Sequence, residues 1–414
     1  MGFTQKVITP NGSFHQYYPK LQIMNDTLFV SSNTGIYMKD LIHNSGWELY
    51  AFEGSPIVEF IRNGNELLAN SMGDRNGQDR LLLFSDDNGK TCADYTTALF
   101  LENHGRGRLL FRITQNPQNP NSLLTLTAGE GVFKSEDFGK NWTSMYPYSL
   151  GYDITFISYH PLDTAAIFYS GETPFMSGQI YSSYNSGVTW TNYEIPGGDN
   201  CVHQIAFHPT NPDIMVFGGE GVFGKSTDKG KTWEIKNHWN DPNCLYFIKV
   251  LFDEENPDIL YSSGYSSYST RKDTIYVYRS TDTGDTWSLA YKEYLGVDCG
   301  IIIDMVKYKN KLIFYSRDCG LFELDVNTIP LSIQTVDINP DVNIYPNPVR
   351  NTLYFNTKAN IERIEMIDTT GRIIQKTVPE NNSTVNVSRL GKGICFAVFH
   401  VNGQKIIKKL HIDN

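Results

Sequence analysis

The segment from Ser226 to Trp233 reads S-x-D-x-G-x-T-W, and near-copies recur along the chain: SDDNGKTC at 85–92, SEDFGKNW at 135–142, SYNSGVTW at 183–190 and STDTGDTW at 280–287. Their serines lie 50, 48, 43 and 54 residues apart (135−85, 183−135, 226−183, 280−226). Self-similarity at such a period restricts the chain to a propeller or a solenoid, because each repeat is one supersecondary unit that buries its faces only against its neighbours. The motif has its own chemistry. An Asp side chain accepts hydrogen bonds from backbone N–H groups two residues on and closes a turn. Gly supplies positive φ without a Cβ clash, and the Ser hydroxyl bonds locally in the same turn. The Trp offers a large apolar face to whatever packs beside the hairpin.

Between the boxes a rhythm of four short strands repeats from about residue 14 to 328. The fifth unit shows it in CVHQIAFHP, DIMVFGG, GVFGKS, the box and WEIKN. Two further units lack a good box: 27–52, where HNSGW puts Trp47 in the place of the box Trp, and 300–325, which shows only three strands. With the five boxed units this makes seven four-stranded blades, whose stacking leaves only short edges. The missing strand of the last blade is expected from Phe3–Thr9 or from Leu331–Ile338. The 414 residues carry 34 Gly, 18 Pro, 13% aromatic and 19% charged residues. That composition suits many short strands and turns and argues against disorder or long helices. A net charge of −10 disfavours a nucleic-acid backbone as partner. No apolar run is long enough to span a bilayer. The opening MGFTQKVITPNG shows no charged segment followed by an apolar core, so no signal peptide is visible in it.

The boxes resemble the Asp-box, or BNR, repeat of sialidase, sortilin and xyloglucanase propellers. The resemblance implies a structural role on the outer-strand turn, away from the ligand face, for Ser85, Asp87 and Gly89; Ser135, Asp137, Gly139 and Trp142; Ser183, Gly187 and Trp190; Ser226, Asp228, Gly230 and Trp233; and Ser280, Asp282, Gly284 and Trp287. Cys92 stands for the Trp, Asn185 for the Asp and Asn141 for the Thr in three copies. No metal or cofactor is expected, since a carboxylate satisfied by turn amides needs no calcium.

After Asp325 the composition changes. Residues 329–340 read as a linker, and 341–414 as a small antiparallel sandwich of about seven short strands, Ig-like in kind. Tyr345-Pro346-Asn347-Pro348, Asp368–Gly371 before Arg372, the run Leu390–Ile394 and the terminal Lys408-Lys409-Leu410 follow in order. This tail resembles the C-terminal sorting domain of the type IX (Por) secretion system. That resemblance implies a bacterial origin in the Bacteroidetes group, export through the outer membrane by the secretion machinery, and cell-surface attachment with removal of the tail. Outside the cytoplasm disulfides persist, and a Cys299–Cys319 bridge is one expectation; free thiols are the other.

The fold class is thus all-β, a seven-bladed propeller over 1–328 followed by the sandwich. On the face opposite the boxes, three carboxylates recur in consecutive blades: Glu130, Glu172 and Glu220. Two carboxyls about 5–10 Å apart would suit glycoside hydrolysis; turn punctuation multiplied by duplication is the other reading. Tyr152, Asp153, Trp239, Tyr246, Tyr265 and Tyr268 lie in or beside the same loops, and aromatics of this kind suit a sugar or a protein ligand. FRIT at 111–114 resembles a sialidase strand, but no arginine beyond Arg112 recurs in a convincing place, so the three-arginine site of that enzyme is not expected. Xyloglucanases of this kind use a cleft between two propellers, whereas one fits here. A binding module for glycan or protein is expected, with a glycosidase as the alternative.

Overall fold

The computed structural model describes residues 20–71, 82–95, 110–127, 131–145, 153–172, 178–196, 201–237, 246–265, 274–294, 302–316, 320–328, 342–356, 361–368, 372–378, 384–401 and 404–413. The chain separates into two compact units, residues 1–330 and 331–414.

Unit one is a succession of antiparallel sheets in chain order. Among the described residues, six have four strands each, over 21–51, 57–94, 110–144, 153–194, 202–237 and 246–294, and the seventh has three, over 302–325. In each sheet the strands pair in sequence order, as short strands alternating with tight turns dictate. Among the described residues, seven apolar clusters hold them, one at each seam between successive sheets. The last of these joins Ile303, Ile313, Tyr315 and Leu321 of the seventh sheet to Leu21, Leu28 and Val30 of the first, so the sheets close into a ring. Burial on both faces follows: Leu67, Leu68 and Ala69 are successive and all fully buried, alternately facing the first and third sheets. The segments 3–9 and 331–338, expected to complete the seventh sheet, lie outside the described residues, as do Cys299 and Cys319. Cys92, Cys201 and Cys395 are free thiols.

Every box forms the same turn. In the second sheet the Ser85 hydroxyl donates to Asp87 Oδ1 (2.7 Å) and accepts from Gly89 N–H (2.8 Å), while Thr91 donates its N–H to Oδ1 (2.9 Å) and its hydroxyl to Oδ2 (2.7 Å). Both central residues of the turn have positive φ: Asn88 61° and Gly89 81°, and likewise Phe138–Gly139, Ser186–Gly187, Lys229–Gly230 and Thr283–Gly284. This left-handed pair turns the chain in the middle of the box, which connects the flanking register pair Phe84 and Ala93. The irregular copies keep the bonds: Asn185 Oδ1 accepts from Thr189 N–H (2.9 Å), and Asn141 donates through its own N–H and Nδ2 to Asp137 (2.8 and 2.7 Å).

The box also reaches backwards, out of its own sheet. Trp142 packs in the seam of the second and third sheets, Trp190 in that of the third and fourth, Trp233 in the next and Trp287 in the one after. Trp47 does the same at the seam that closes the ring. The box glycines face the same way. A Cβ on Gly89 would lie 2.1 Å from Ala51 Cβ, and one on Gly139 2.6 Å from Leu68 Cδ2, each in the preceding sheet. Each box is therefore a clasp between neighbours as well as a hairpin turn.

Unit two is a two-sheet sandwich. Asn343–Tyr345, Thr352–Asn356 and Thr384–Asn386 form one sheet; Ile361–Ile367, Ile373–Thr377, Gly393–Val401 and Gln404–Ile412 form the other. Leu353, Phe355, Ile364, Met366, Ala397, Phe399, Leu410 and Ile412 fill the space between them. Tyr345 is exposed and stacks on Tyr354 with ring centres 5.7 Å apart.

Candidate functional site

The first strand of each sheet runs along the inside of the ring, and the strand from Ile302 returns to pack against Leu21–Met24. Near its start each first strand from the second sheet onward carries a β-bulge, an extra residue that bends the strand and re-aims its neighbours. The register skips Val58, Phe111, Thr155, His203, Ile248 and Ile303. The residues directly after the bulges are Glu59, Arg112, Phe156, Gln204, Lys249 and Asp304, and Lys20 occupies the corresponding place in the first sheet, its carbonyl accepting from Ser31 N–H (3.1 Å). Five of these seven equivalent positions are charged.

These side chains run from one sheet to the next. Lys20 Nζ lies 3.3 Å from Glu59 Oε1, and Glu59 Oε2 accepts from Ile113 N–H (3.0 Å). Arg112 Nε donates to Thr155 O (3.3 Å), and the Thr155 hydroxyl donates to Val202 O. Lys249 Nζ lies 2.8 Å from Asp304 Oδ1, and Asp304 Oδ2 accepts from Leu21 N–H (2.8 Å), across the closing seam. Burial would raise the Asp304 carboxyl, but Lys249 and Lys20 outweigh it and hold it below the usual carboxylate range. Burial lowers Lys249, against the pull of Asp304. Nothing in the sequence marks this collar, because its members are scattered single charges whose equivalence depends on the bulge register.

Of the residues expected at the site, Glu130, Tyr152, Trp239 and Tyr268 lie outside the described residues. Asp153 and Glu172 are directly opposite in the first and second strands of the fourth sheet. Tyr265 ends a strand, Leu260–Tyr265, where a loop was expected, and its backbone is paired with Tyr246. Glu220 and Tyr246 come together: they form an isolated β-bridge that ties the fifth sheet to the sixth, and Glu220 N–H donates to Cys201 O (3.0 Å). Sequence reasoning missed His203, the bulged residue of the fifth sheet. Its ring centre is 6.3 Å from that of Tyr246, and its Nε2 is 3.9 Å from Glu220 Oε1, too long for a hydrogen bond. Burial lowers the imidazole to about 4, so it is neutral near pH 7 and the contact with Glu220 is not an ion pair there. Among the described residues its Nε2 has no hydrogen-bond partner. The arrangement sets a carboxylate, a neutral imidazole and an aromatic ring side by side at one seam. Among the described residues no group of His, Cys, Asp and Glu is placed to hold a metal ion, and no helix is long and apolar enough to cross a membrane.

Residues 178–321 match the family described as sortilin, neurotensin receptor 3, and residues 343–413 match the secretion system C-terminal sorting domain. Among curated proteins, the chain is 26% identical over 161 residues to a probable oligoxyloglucan-reducing end-specific xyloglucanase of Neosartorya fischeri, covering 38% of this chain and 19% of that protein. It is 23% identical over 242 residues to a xyloglucanase of Acetivibrio thermocellus, covering 50% and 28%. The matches thus span under a third of the length of these relatives. Among solved structures, a xyloglucanase from Xanthomonas campestris aligns with a TM-score of 0.55 at 14% identity, covering 91% of this chain and 56% of that one. YCF48 from Cyanidioschyzon merolae aligns at 0.53 and 13% identity, covering 78% and 99%; a peptide-bound YCF48 aligns at 0.50 and 14%, covering 72% and 90%. The chain combines an all-β propeller with Asp-box turns, similar in fold to the xyloglucanase and YCF48 structures, with a C-terminal segment that matches a secretion system sorting domain and so points to export by the type IX secretion system.

Proposed function

We propose that the exported propeller is a non-catalytic module that binds a glycan or a protein outside the cell, at the mouth where the fifth and sixth sheets meet. The observation that carries this reading is the grouping of Glu220, His203 and Tyr246. A carboxylate accepts hydrogen bonds, a neutral imidazole donates or accepts, and a tyrosine ring offers flat apolar area with a polar tip. Hydrolysis asks for something else: an acid with a raised pKa and a second carboxylate at a set distance. The buried carboxylates of the collar do not supply it, since Glu59 and Asp304 are each clasped by a lysine and a backbone N–H. A structural neighbour that is covered nearly end to end by this chain holds a peptide, which supports the binding reading. The xyloglucanase relatives support the second reading, a glycosidase using Glu220 with Glu130 or Glu172.

A panel of polysaccharides and of surface proteins, scored for both binding and product release, tests the two. Tyr246→Ala is expected to weaken binding about tenfold or more, the loss typical of a central aromatic contact. Glu220→Gln is expected to cost less than that, because shape and one acceptor remain. Sugar release by the wild type that falls by orders of magnitude in Glu220→Gln would establish the glycosidase instead.

A further inference from the structure

The sandwich of unit two turns two unlike faces outward. On its four-stranded sheet Arg363, Glu365, Lys376, His400 and Lys409 point away from the core, and Glu365 is paired with both His400 (2.9 Å) and Arg363 (3.1 Å). Among the described residues of the three-stranded sheet, the outward ones are Tyr345, Thr352, Tyr354, Asn356, Thr384 and Asn386, and none is charged. They alternate along their strands with Leu353, Phe355 and Val385, which fill the core.

The register lines three of these residues up across the sheet: Tyr345 is opposite Tyr354, and Tyr354 is opposite Thr384. The tyrosine rings are stacked, 9° from parallel with centres 5.7 Å apart. Each ring gives one face to the other, yet Tyr345 is still 54% exposed and Tyr354 44%. The rest of each ring therefore stays in water. Across from Tyr354 on its far side stands the short, exposed Thr384, so the ring forms the wall of a step with Thr384 at its foot. Thr352 and Asn356 lie two residues to either side of Tyr354 on the same face. Asn386, opposite Thr352, has its amide fixed: Oδ1 accepts from Ser388 N–H (2.9 Å) and from the Ser388 hydroxyl (2.7 Å), which leaves Nδ2 as the donor end.

A sugar ring has an apolar C–H face and a rim of hydroxyls. An aromatic wall takes the face, and hydroxyl and amide groups beside it take the rim. A charged partner would find no countercharge on this face. A cross-strand aromatic pair also steadies a sheet, but that role uses only the faces the rings share. We propose that the outer face of this sheet is a second binding site, separate from the propeller mouth, and that its ligand is a neutral glycan seated against Tyr354 over Thr384.

Electrophoresis of the full-length chain through gels holding a mixed-linkage β-glucan, a galactomannan or a xyloglucan tests this, with thermal unfolding of every variant. The wild type is expected to be retarded by at least one of the three. In that gel Tyr354→Ala is expected to weaken the apparent affinity about tenfold or more, whereas Tyr354→Phe, which keeps the ring, stays within about threefold of wild type. Thr384→Glu keeps both rings, fills the step and charges it; it is expected to abolish retardation with Tm unchanged, and it decides the matter if Tyr354→Ala does not fold. Wild-type retardation of Thr384→Glu, or no retardation of the wild type by any of the three, overturns the inference. Retardation lost in Tyr246→Ala but kept in Tyr354→Ala and Thr384→Glu assigns the sugar to the propeller mouth, which also overturns it while supporting the separate reading of that site. Sedimentation velocity covers the remaining occupant: a wild-type dimer that Tyr354→Ala converts to monomer would mean that a second copy of the chain covers this face and no glycan does.

Discussion

At the scale of single residues, the box aspartates explain why the repeat tolerates some substitutions. Asp228 Oδ1 accepts from Ser226 and from Thr232 N–H, and Oδ2 from the Thr232 hydroxyl. An amide can fill most of that role, as Asn185 does in the fourth sheet. Asp228→Asn is therefore expected to cost well under about 1 kcal/mol, and Asp228→Ala about 1–3 kcal/mol by leaving its turn donors unpaired; chemical denaturation of the two variants checks the contrast. The same bonds set a pH dependence. Hydrogen bonds from Thr91 N–H, Ser85 and the Thr91 hydroxyl lower Asp87 to about 2. In Asp137, Asp228 and Asp282 burial works the other way, but the turn bonds outweigh it and these groups too lie below the usual value. A depressed folded-state pKa contributes stability that is complete above the unfolded value and is lost as pH falls through the folded one. Stability should thus decline from about pH 4 towards about 2, and Asp87→Asn should flatten that decline, as thermal unfolding at a series of pH values would show.

At the scale of elements, the box hairpin is a spacer whose glycine has two independent reasons to be glycine. Gly89 has φ 81° and would place a Cβ 2.1 Å from Ala51 Cβ and 2.8 Å from Ala51 Cα, backbone that cannot swing away. Gly54 has φ 77° but open space around it. Gly54→Ala is expected to cost about 1 kcal/mol from backbone strain alone, and Gly89→Ala about 3 kcal/mol or more from strain plus forced separation of two sheets. Equal losses in the two variants would show that the close approach carries no energy. The sequence announces the turn through its S-x-D-x-G spacing, because those bonds are local. It does not announce the backward packing of Trp142, Trp190, Trp233 and Trp287, since a tryptophan beside a hairpin can turn to either neighbour and the stagger of the sheets decides.

At the scale of the whole molecule, a ring has one seam that joins the two ends of its chain, and here that seam carries both apolar and ionic contacts. Asp304 links Lys249 of the sixth sheet to Leu21 N–H of the first. Removing one partner of a buried pair leaves the other charge uncompensated. Asp304→Ala is expected to cost about 3–5 kcal/mol and Lys249→Met with Asp304→Leu much less, because the double change removes both desolvation penalties. Differential scanning calorimetry of the two variants would decide; equal losses would mean that the seam depends on side-chain volume and not on charge.

The sequence by itself determined the repeat, the all-β class and the order of landmarks in the tail, because each is written in local chemistry: turn residues at fixed spacing, short apolar strands, proline and glycine at set places. What it could not supply depends on contacts between residues far apart in the chain. Glu220 and Tyr246 stand out in the sequence as candidates by residue type and by lying in or beside the expected ligand-face loops, whereas His203 reads as one more residue of an apolar strand until the bulge places it beside them. The collar of Lys20, Glu59, Arg112, Lys249 and Asp304 is five unrelated charges in sequence; only closure of the ring makes them neighbours. Asn347 likewise reads as a turn residue before a proline, and only the tertiary structure brings its amide to the last strand, since the energy of that contact comes from two backbone groups more than sixty residues away.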